Sequence, residues 1–180
     1  MSESSEFRVI VTGSREWSDT LSLRAALATI LDALPRGVLL VIVHGGQENP
    51  DYSTNADRVA QEWALEMEAD GLPVRQEPHP ADWEGPCRPD APDGAPGCEP
   101  GHRQTWRGRS VCPAAGPYRN EEMCAEGADW GLGALKVGTR STGTRDCLRR
   151  MARHGIPFEL VIEGNARGLP EDLLSRAARR

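Results

Sequence analysis

The sequence predicts an α/β fold of three layers, α/β/α, around a mostly parallel sheet of about five strands, interrupted by one irregular Pro/Gly-rich insert. Three observations predict it. Apolar, β-branched runs such as Val9-Ile10-Val11 and Val41-Ile42-Val43 are continuous rather than alternating, as in strands covered on both faces. Stretches with helical spacing alternate with them. The first two runs end on glycine-bearing turns, Thr12-Gly13-Ser14-Arg15 and His44-Gly45-Gly46, and a third turn, Ser141-Thr142-Gly143-Thr144, opens a helical stretch. A parallel strand ending in a glycine turn leaves backbone N–H groups at the carboxyl edge of the sheet, where anions bind. Three such turns point to one shared pocket for a phosphorylated small molecule.

Taken in order, residues 7–12 form the first strand. From 19 to 34, Leu23, Leu27, Ile30, Leu31 and Leu34 fall at helical spacing, with Ser18 or Asp19 to cap the start and Pro35 and Gly37 to end it. Residues 38–43 form a second buried strand, and a polar loop runs from 47 to 55. Residues 56–69 form a helix with Val59, Ala60, Trp63 and Met67 on one face, and a short strand follows around Val74. Composition then shifts: nine of the 14 prolines lie between Pro78 and Pro117, a density no helix or interior strand tolerates. Beyond it the pattern predicts a helix over 118–126, a strand over 128–135, a helix over 144–154 ended by Gly155, and a strand over 156–162 with Pro157 near its start. The expected domain is therefore 7–162, with 84–116 as the insert and 163–180 as a linker and short terminal helix over 170–179.

At 180 residues the chain is one domain with an elaboration. Its net charge of −6, from 27 acidic and 21 basic residues, argues against a protein that coats nucleic acid. No apolar stretch approaches a membrane span. The polar, acidic start Met1-Ser2-Glu3-Ser4 is unlike a signal peptide, so the expected location is cytoplasmic, with reduced thiols.

The insert carries three of the five cysteines, Cys87, Cys98 and Cys112, with His102 among them in the spacing C-x10-C-x3-H-x9-C. It has almost no apolar residues for a core of its own. Zinc held by three thiolates and one imidazole supplies metal–ligand bonds in place of that core, and four protein ligands make such a site structural. The alternatives are a loose loop with incidental thiols, or disulfides, which a reducing compartment disfavours. Cys124 and Cys147 fall on predicted helices and read as buried, inert thiols.

Arg15 and Arg119 stand beside turn glycines or prolines, where a guanidinium suits a phosphate or carboxylate; structural ion pairing is the alternative. Ser14, Ser141, Thr142 and Thr144 are hydroxyl donors for a phosphate, or plain turn and cap residues. Asp57 either caps its helix or faces its dipole, or else binds a ribose. His44, ending a buried strand, reads as structural. Trp63 lies on an apolar helix face and belongs to the core, whereas Trp17 and Trp83 lie in loops and offer platforms for a base. Asp82, beside Trp83, is the candidate general base. The basic run Arg145, Arg149, Arg150 and Arg153 reads as a solvated helix face, with a nucleic-acid contact as the alternative.

Together these segments resemble the SLOG superfamily, which includes DNA-processing protein A and the cytokinin-activating LOG enzymes, and most of all its YspA-like branch of actinobacteria and their phages. The resemblance is carried by Val11-Thr12-Gly13-Ser14-Arg15-Glu16-Trp17, His44-Gly45-Gly46 with Ala56-Asp57-Arg58-Val59-Ala60 and Trp63-Ala64, Ala81-Asp82-Trp83, Gly116-Pro117-Tyr118-Arg119-Asn120-Glu121-Glu122-Met123, Ser141-Thr142-Gly143-Thr144 and Gly155-Ile156-Pro157. It implies a Rossmann-like fold that binds a nucleotide or nucleotide-derived molecule at the strand ends. Gly13, Ser14, Arg15, Gly45 and Gly46 would line the site, Arg119 and Asn120 would face the ligand, and Ser141 to Thr144 would cradle a phosphate. It also implies a possible homodimer.

LOG-type enzymes cleave an N-glycosidic bond with a P-G-G-x-G-T-x-x-E run and an Arg on a nearby helix. Here Gly143-Thr144 matches the G-T and Arg119 the Arg, but Cys147 occupies the position of the Glu, and Thr139-Arg140-Ser141 replaces P-G-G. Asp146 is one place early, about 100° away around a helix. Asp82 or Asp57 could supply a carboxylate from another loop. The first reading is therefore a domain that senses, sequesters or processes a nucleotide-derived small molecule. The second is an N-glycosidase or phosphoribohydrolase with Asp82 and Arg119 as catalytic residues. The third, a single-stranded DNA module, is weakened by the acidic charge.

Overall fold

The computed structural model describes residues 5–46, 54–87, 98 and 101–164. Its elements are β1 (Glu6–Gly13), α1 (Thr20–Ala33), β2 (Leu39–His44), α2 (Ala56–Ala69), β3 (Val74–Pro78), β4 (Gln104–Trp106), β5 (Arg109–Val111), α3 (Ala115–Ala125), β6 (Trp130–Leu135), α4 (Thr142–Arg153) and β7 (Phe158–Ile162). Five strands form one parallel sheet in the order β3-β2-β1-β6-β7. This is the predicted three-layer α/β fold. The expected terminal helix, most of the 47–55 loop and residues 88–97 lie outside the described residues.

Alternation along the central strands divides the core in two. Phe7, Val9 and Val11 of β1, with Leu40 and Ile42 of β2, pack against α1 and α2 through Leu23, Leu27, Ile30, Val59, Ala60 and Trp63. Ile10, Val41 and Val43 point the other way, onto Met123, Cys124, Cys147, Leu148 and Met151 of α3 and α4. Side chains two residues apart share a face of a strand, so both faces must be apolar when helices cover both. That is why the runs do not alternate.

The helices begin where the sequence offers caps. Asp19 accepts from Ser22 N at 3.0 Å, and Asn55 from Arg58 N at 2.8 Å. Asp57 is therefore not the cap of α2; it sits in the first helical turn, where its negative charge meets the helix dipole.

The chain moves outward from β1 to β2 and β3, then crosses back to add β6 and β7 on the far side. Strand order reverses between β1 and β6, and a crevice opens there at the carboxyl ends. Register aligns those ends: Val11 pairs with His44, and Gly13 with Ala134. Gly13 has no room for a side chain, because a Cβ would lie 2.2 Å from Ala56 Cβ and 2.8 Å from Ala134 Cβ.

The sequence reading needs two corrections here. The insert is not wholly irregular: β4 and β5 form an antiparallel hairpin whose two-residue turn, Arg107-Gly108, has both φ values positive, as a type I′ turn requires. Second, Arg150 is not on a solvated face. It is 1% exposed, pairs with Glu121, and donates from Nε to Asp146 at 2.8 Å. No helix among the described residues is long and apolar enough to cross a membrane.

Candidate functional site

The carboxyl ends of β1 and β2, the first turn of α2, the 80–84 segment, the hairpin, α3 and the 139–146 segment surround one open cleft of about 1070 Å³. Ser14, Gly46, Arg119 and Thr144 all line it. So do Gly13, Arg15, Gly45, Asp57, Trp83, Asn120, Ser141, Thr142 and Gly143. Residues far apart in sequence thus meet where the sheet's topology reverses.

One side of the cleft is built from turns and a helix start. Ser141 takes a left-handed conformation (φ 39°) and makes no side-chain cap hydrogen bond, so the first-turn N–H groups of α4 are not capped by the residue that precedes them. The Thr139 hydroxyl donates to Lys136 O at 3.0 Å, and therefore accepts from Ser141 at 2.7 Å and from Ser14 at 3.4 Å. That hydroxyl chain ties the β1 turn to the α4 turn. At Gly143 a Cβ would meet nothing within 4 Å, and its φ is not positive, so neither backbone nor a protein neighbour explains glycine there.

Asn120, almost fully buried, donates to Gly143 O at 3.3 Å and to Asp146 Oδ2 at 3.0 Å. Arg150 holds the same carboxylate from below. Asn120 thus braces the α4 turn. Arg119 donates from Nη1 to Gly45 O at 2.5 Å and His79 O at 3.2 Å, and from Nε to Asn120 Oδ1 at 3.0 Å. It locks the β2 turn to the 79–80 segment and α3. His44 is buried, and its Nδ1 accepts from Gly46 N at 3.1 Å, which puts the ring proton on Nε2 facing Gln76 Oε1 at 2.9 Å. Burial pushes its pKa below the ordinary 6.5. His44 is thus a neutral brace for the glycine turn.

Two candidates, Trp17 and Asp82, land differently from expectation. Trp17 is fully buried in the α1/α2 core, with Nε1 donating to Asp19 O at 2.9 Å, so it offers no platform to a ligand. Trp83 does line the cleft, with the Arg15 guanidinium 5.9 Å from its ring centroid. Asp82 does not line it: its carboxylate accepts from Gly85 N at 2.9 Å and borders a smaller neighbouring hollow with Arg119. Cys147, where a LOG-type Glu would stand, is buried against Cys124. That contact and burial raise its thiol pKa well above the usual value. Sequence reasoning missed Gln104, Trp106 and Thr139, which also line the cleft; neither glycine motif nor charge marks them.

Behind the hairpin, the ligand atoms of Cys87, Cys98, His102 and Cys112 lie within 4.8 Å of one another. His102 Nε2 is 3.2 Å from the sulfurs of both Cys87 and Cys112, and Cys98 Sγ is 3.5 Å from Cys112 Sγ. A disulfide would bring two sulfurs to about 2.05 Å, so these are thiols. A tetrahedral metal with sulfur at about 2.3 Å and nitrogen at about 2.0–2.1 Å has ligand edges near these separations. Outer partners are in place: Arg103 Nη1 donates to Cys87 Sγ at 3.3 Å, and the Tyr118 hydroxyl meets Cys98 Sγ at 3.0 Å. The group can hold a metal ion. A second grouping, Glu77, His79 and Glu126, is already met by Arg8, whose hydrogen bond of 2.5 Å holds the Glu77 carboxyl down to about 2.

The family model for the YspA, cpYpsA-related SLOG family (YAcAr) matches residues 7–85. The gene 61 protein of Mycobacterium phage D29 is similar along most of the chain: 39% identical over 150 residues, 83% of this chain and 92% of that protein. The chain belongs to the YspA, cpYpsA-related SLOG family. Its matched region contains the β1 and β2 turns, Asp57 and Trp83, and ends before the Cys3His group. No solved structure matches the chain. Family membership agrees with the cleft in one general respect, the binding of nucleotide-related ligands.

Proposed function

We propose that this protein binds a nucleotide-derived small molecule, with its phosphate at the β1, β2 and α4 turns and its body directed toward Trp83, and that the Cys3His group holds structural zinc. The observation that supports this most is convergence: three glycine turns and two arginines from separate elements border a single cleft. Oriented N–H groups, hydroxyls and guanidinium are the donors a phosphate takes. The open space at Gly143 is where an anion can approach the backbone. An acidic chain with a local donor-rich cleft suits a small ligand better than extended nucleic acid.

Binding is favoured over N-glycosidic hydrolysis. Asp146 borders the cleft but is held by Asn120 and Arg150, and Asp82 is held by its own turn outside it, which leaves Asp57 as the carboxylate on which hydrolysis would depend. Mass spectrometry of small molecules that co-purify with the protein, followed by incubation with nucleoside 5′-monophosphates, tests the reading. Retention without turnover supports it; release of free base replaces it with the hydrolase. Arg119→Ala should weaken ligand binding at least tenfold, an order-of-magnitude expectation for a lost charge-assisted contact. Unchanged affinity counts against the site. Elemental analysis should find about one zinc per chain.

A further inference from the structure

The hairpin has a role the sheet does not explain. Its strands are three residues each, and it has no apolar core. Yet its face is directed: Gln104, Trp106 and Val111 line the cleft, while Thr105 and Ser110 do not, as the two-residue alternation of a strand demands. Trp106 is 49% exposed. The Arg107 guanidinium lies 5.1 Å from its ring centroid and restrains the indole. An amphipathic aromatic held at a cleft mouth, beside an amide that can both donate and accept, is the equipment for recognising a heterocycle.

What holds this hairpin in place is the Cys3His group. His102 stands two residues before β4, and Cys112 directly follows β5. Cys87 lies four residues after Trp83. The same segments are stitched by Cys112 N donating to Trp83 O at 2.8 Å, and by Arg103, which donates to Gly85 O at 2.9 Å and Ser110 O at 2.7 Å. A metal at the node would join the two tryptophan-bearing walls, adding to the small buried cluster of Cys112, Ala114 and Tyr118 that packs against Cys87 and Cys98.

We propose that Trp106 is a base-binding residue that stacks the base of the bound nucleotide together with Trp83, and that metal in the Cys3His node fixes this wall, so that metal occupancy controls base binding but not phosphate binding. This rests on the nucleotide reading above. Stacking tolerates any base because every base has a π-face, so the ligand class is a nucleotide with an accessible purine or pyrimidine.

The test uses the full-length, zinc-loaded protein in equilibrium dialysis against the four common nucleoside 5′-monophosphates and against ribose 5-phosphate, which has the phosphate and no base. Trp106→Ala should weaken the best-bound monophosphate about tenfold and leave ribose 5-phosphate unchanged, with Trp106→Phe restoring most of the loss. Removal of zinc by a chelator should reproduce the Trp106→Ala pattern. A Trp106→Ala protein that binds the monophosphate as well as wild type, or loses ribose 5-phosphate equally, overturns this proposal alone. A wild type that binds none of these probes overturns it together with the nucleotide reading.

Discussion

The sheet domain and the insert meet across one cleft, but they are held together differently. The sheet buries apolar side chains on both faces, with Phe7, Val9, Ile10, Leu40, Ile42 and Leu132 fully removed from water. Each such side chain contributes about 1.5–3 kcal/mol on burial, and none depends on a bound ion. The hairpin buries little and is flanked by the Cys3His group, an arginine and a few backbone bonds. Hence the phosphate side of the cleft should persist under conditions that dismantle the other side. On the proposed reading, one wall of the pocket is set by folding and the other by metal supply.

The strongest way to break this comparison is to damage the sheet. Leu132→Ala removes a fully buried side chain from a central strand and should cost about 2–5 kcal/mol in urea unfolding, equally with and without zinc. A cost that depends on zinc would show that the two regions fold as one. Next in size is Cys112→Ser. It should abolish metal binding and amide-exchange protection across 102–112, while amides of β1 and β2 stay protected. Loss of protection throughout would refute independent walls.

A gentler probe is pH. Burial holds the folded-state pKa of His44 below its ordinary 6.5, so its contribution to stability is complete above that value and declines as pH falls below it toward the folded pKa. Denaturation of zinc-free protein at pH 8 and pH 5.5 should show that decline, and His44→Gln should flatten it. The smallest expected change is Gly143→Ala. An alanine fits the open space and favours the helix, so stability should rise by about 0.5–1 kcal/mol while ribose 5-phosphate binds less well. Equal or better binding would place the phosphate elsewhere.

Much of this was legible in the sequence. Continuous β-branched runs gave away the buried strands because burial on both faces removes polar alternation, and boundaries moved by only a few residues. The glycine turns were legible because few other residues suit that job. Cys87, Cys98, His102 and Cys112 were legible because soft ligands clustered in a core-poor stretch have few other uses. Trp17 was misread because a loop position says nothing about whether its side chain folds back onto the core. Arg150 was misread because its i−4 carboxylate Asp146 looks like a surface pair, whereas Glu121, 29 positions earlier, draws it inside. The hairpin escaped because strands reading Gln104-Thr105-Trp106 and Arg109-Ser110-Val111 bury no stripe; they are ordered by what flanks them.

The hairpin lies within the crossover that joins β3 to β6, where the chain leaves one half of the sheet before beginning the other. A crossover contributes no strand to the sheet, so its contents can be replaced without shifting any register. Nature can therefore retool this molecule by exchanging a cassette: a new loop between the same two strands reshapes one rim of the cleft, while the floor formed by the strand ends stays as it was.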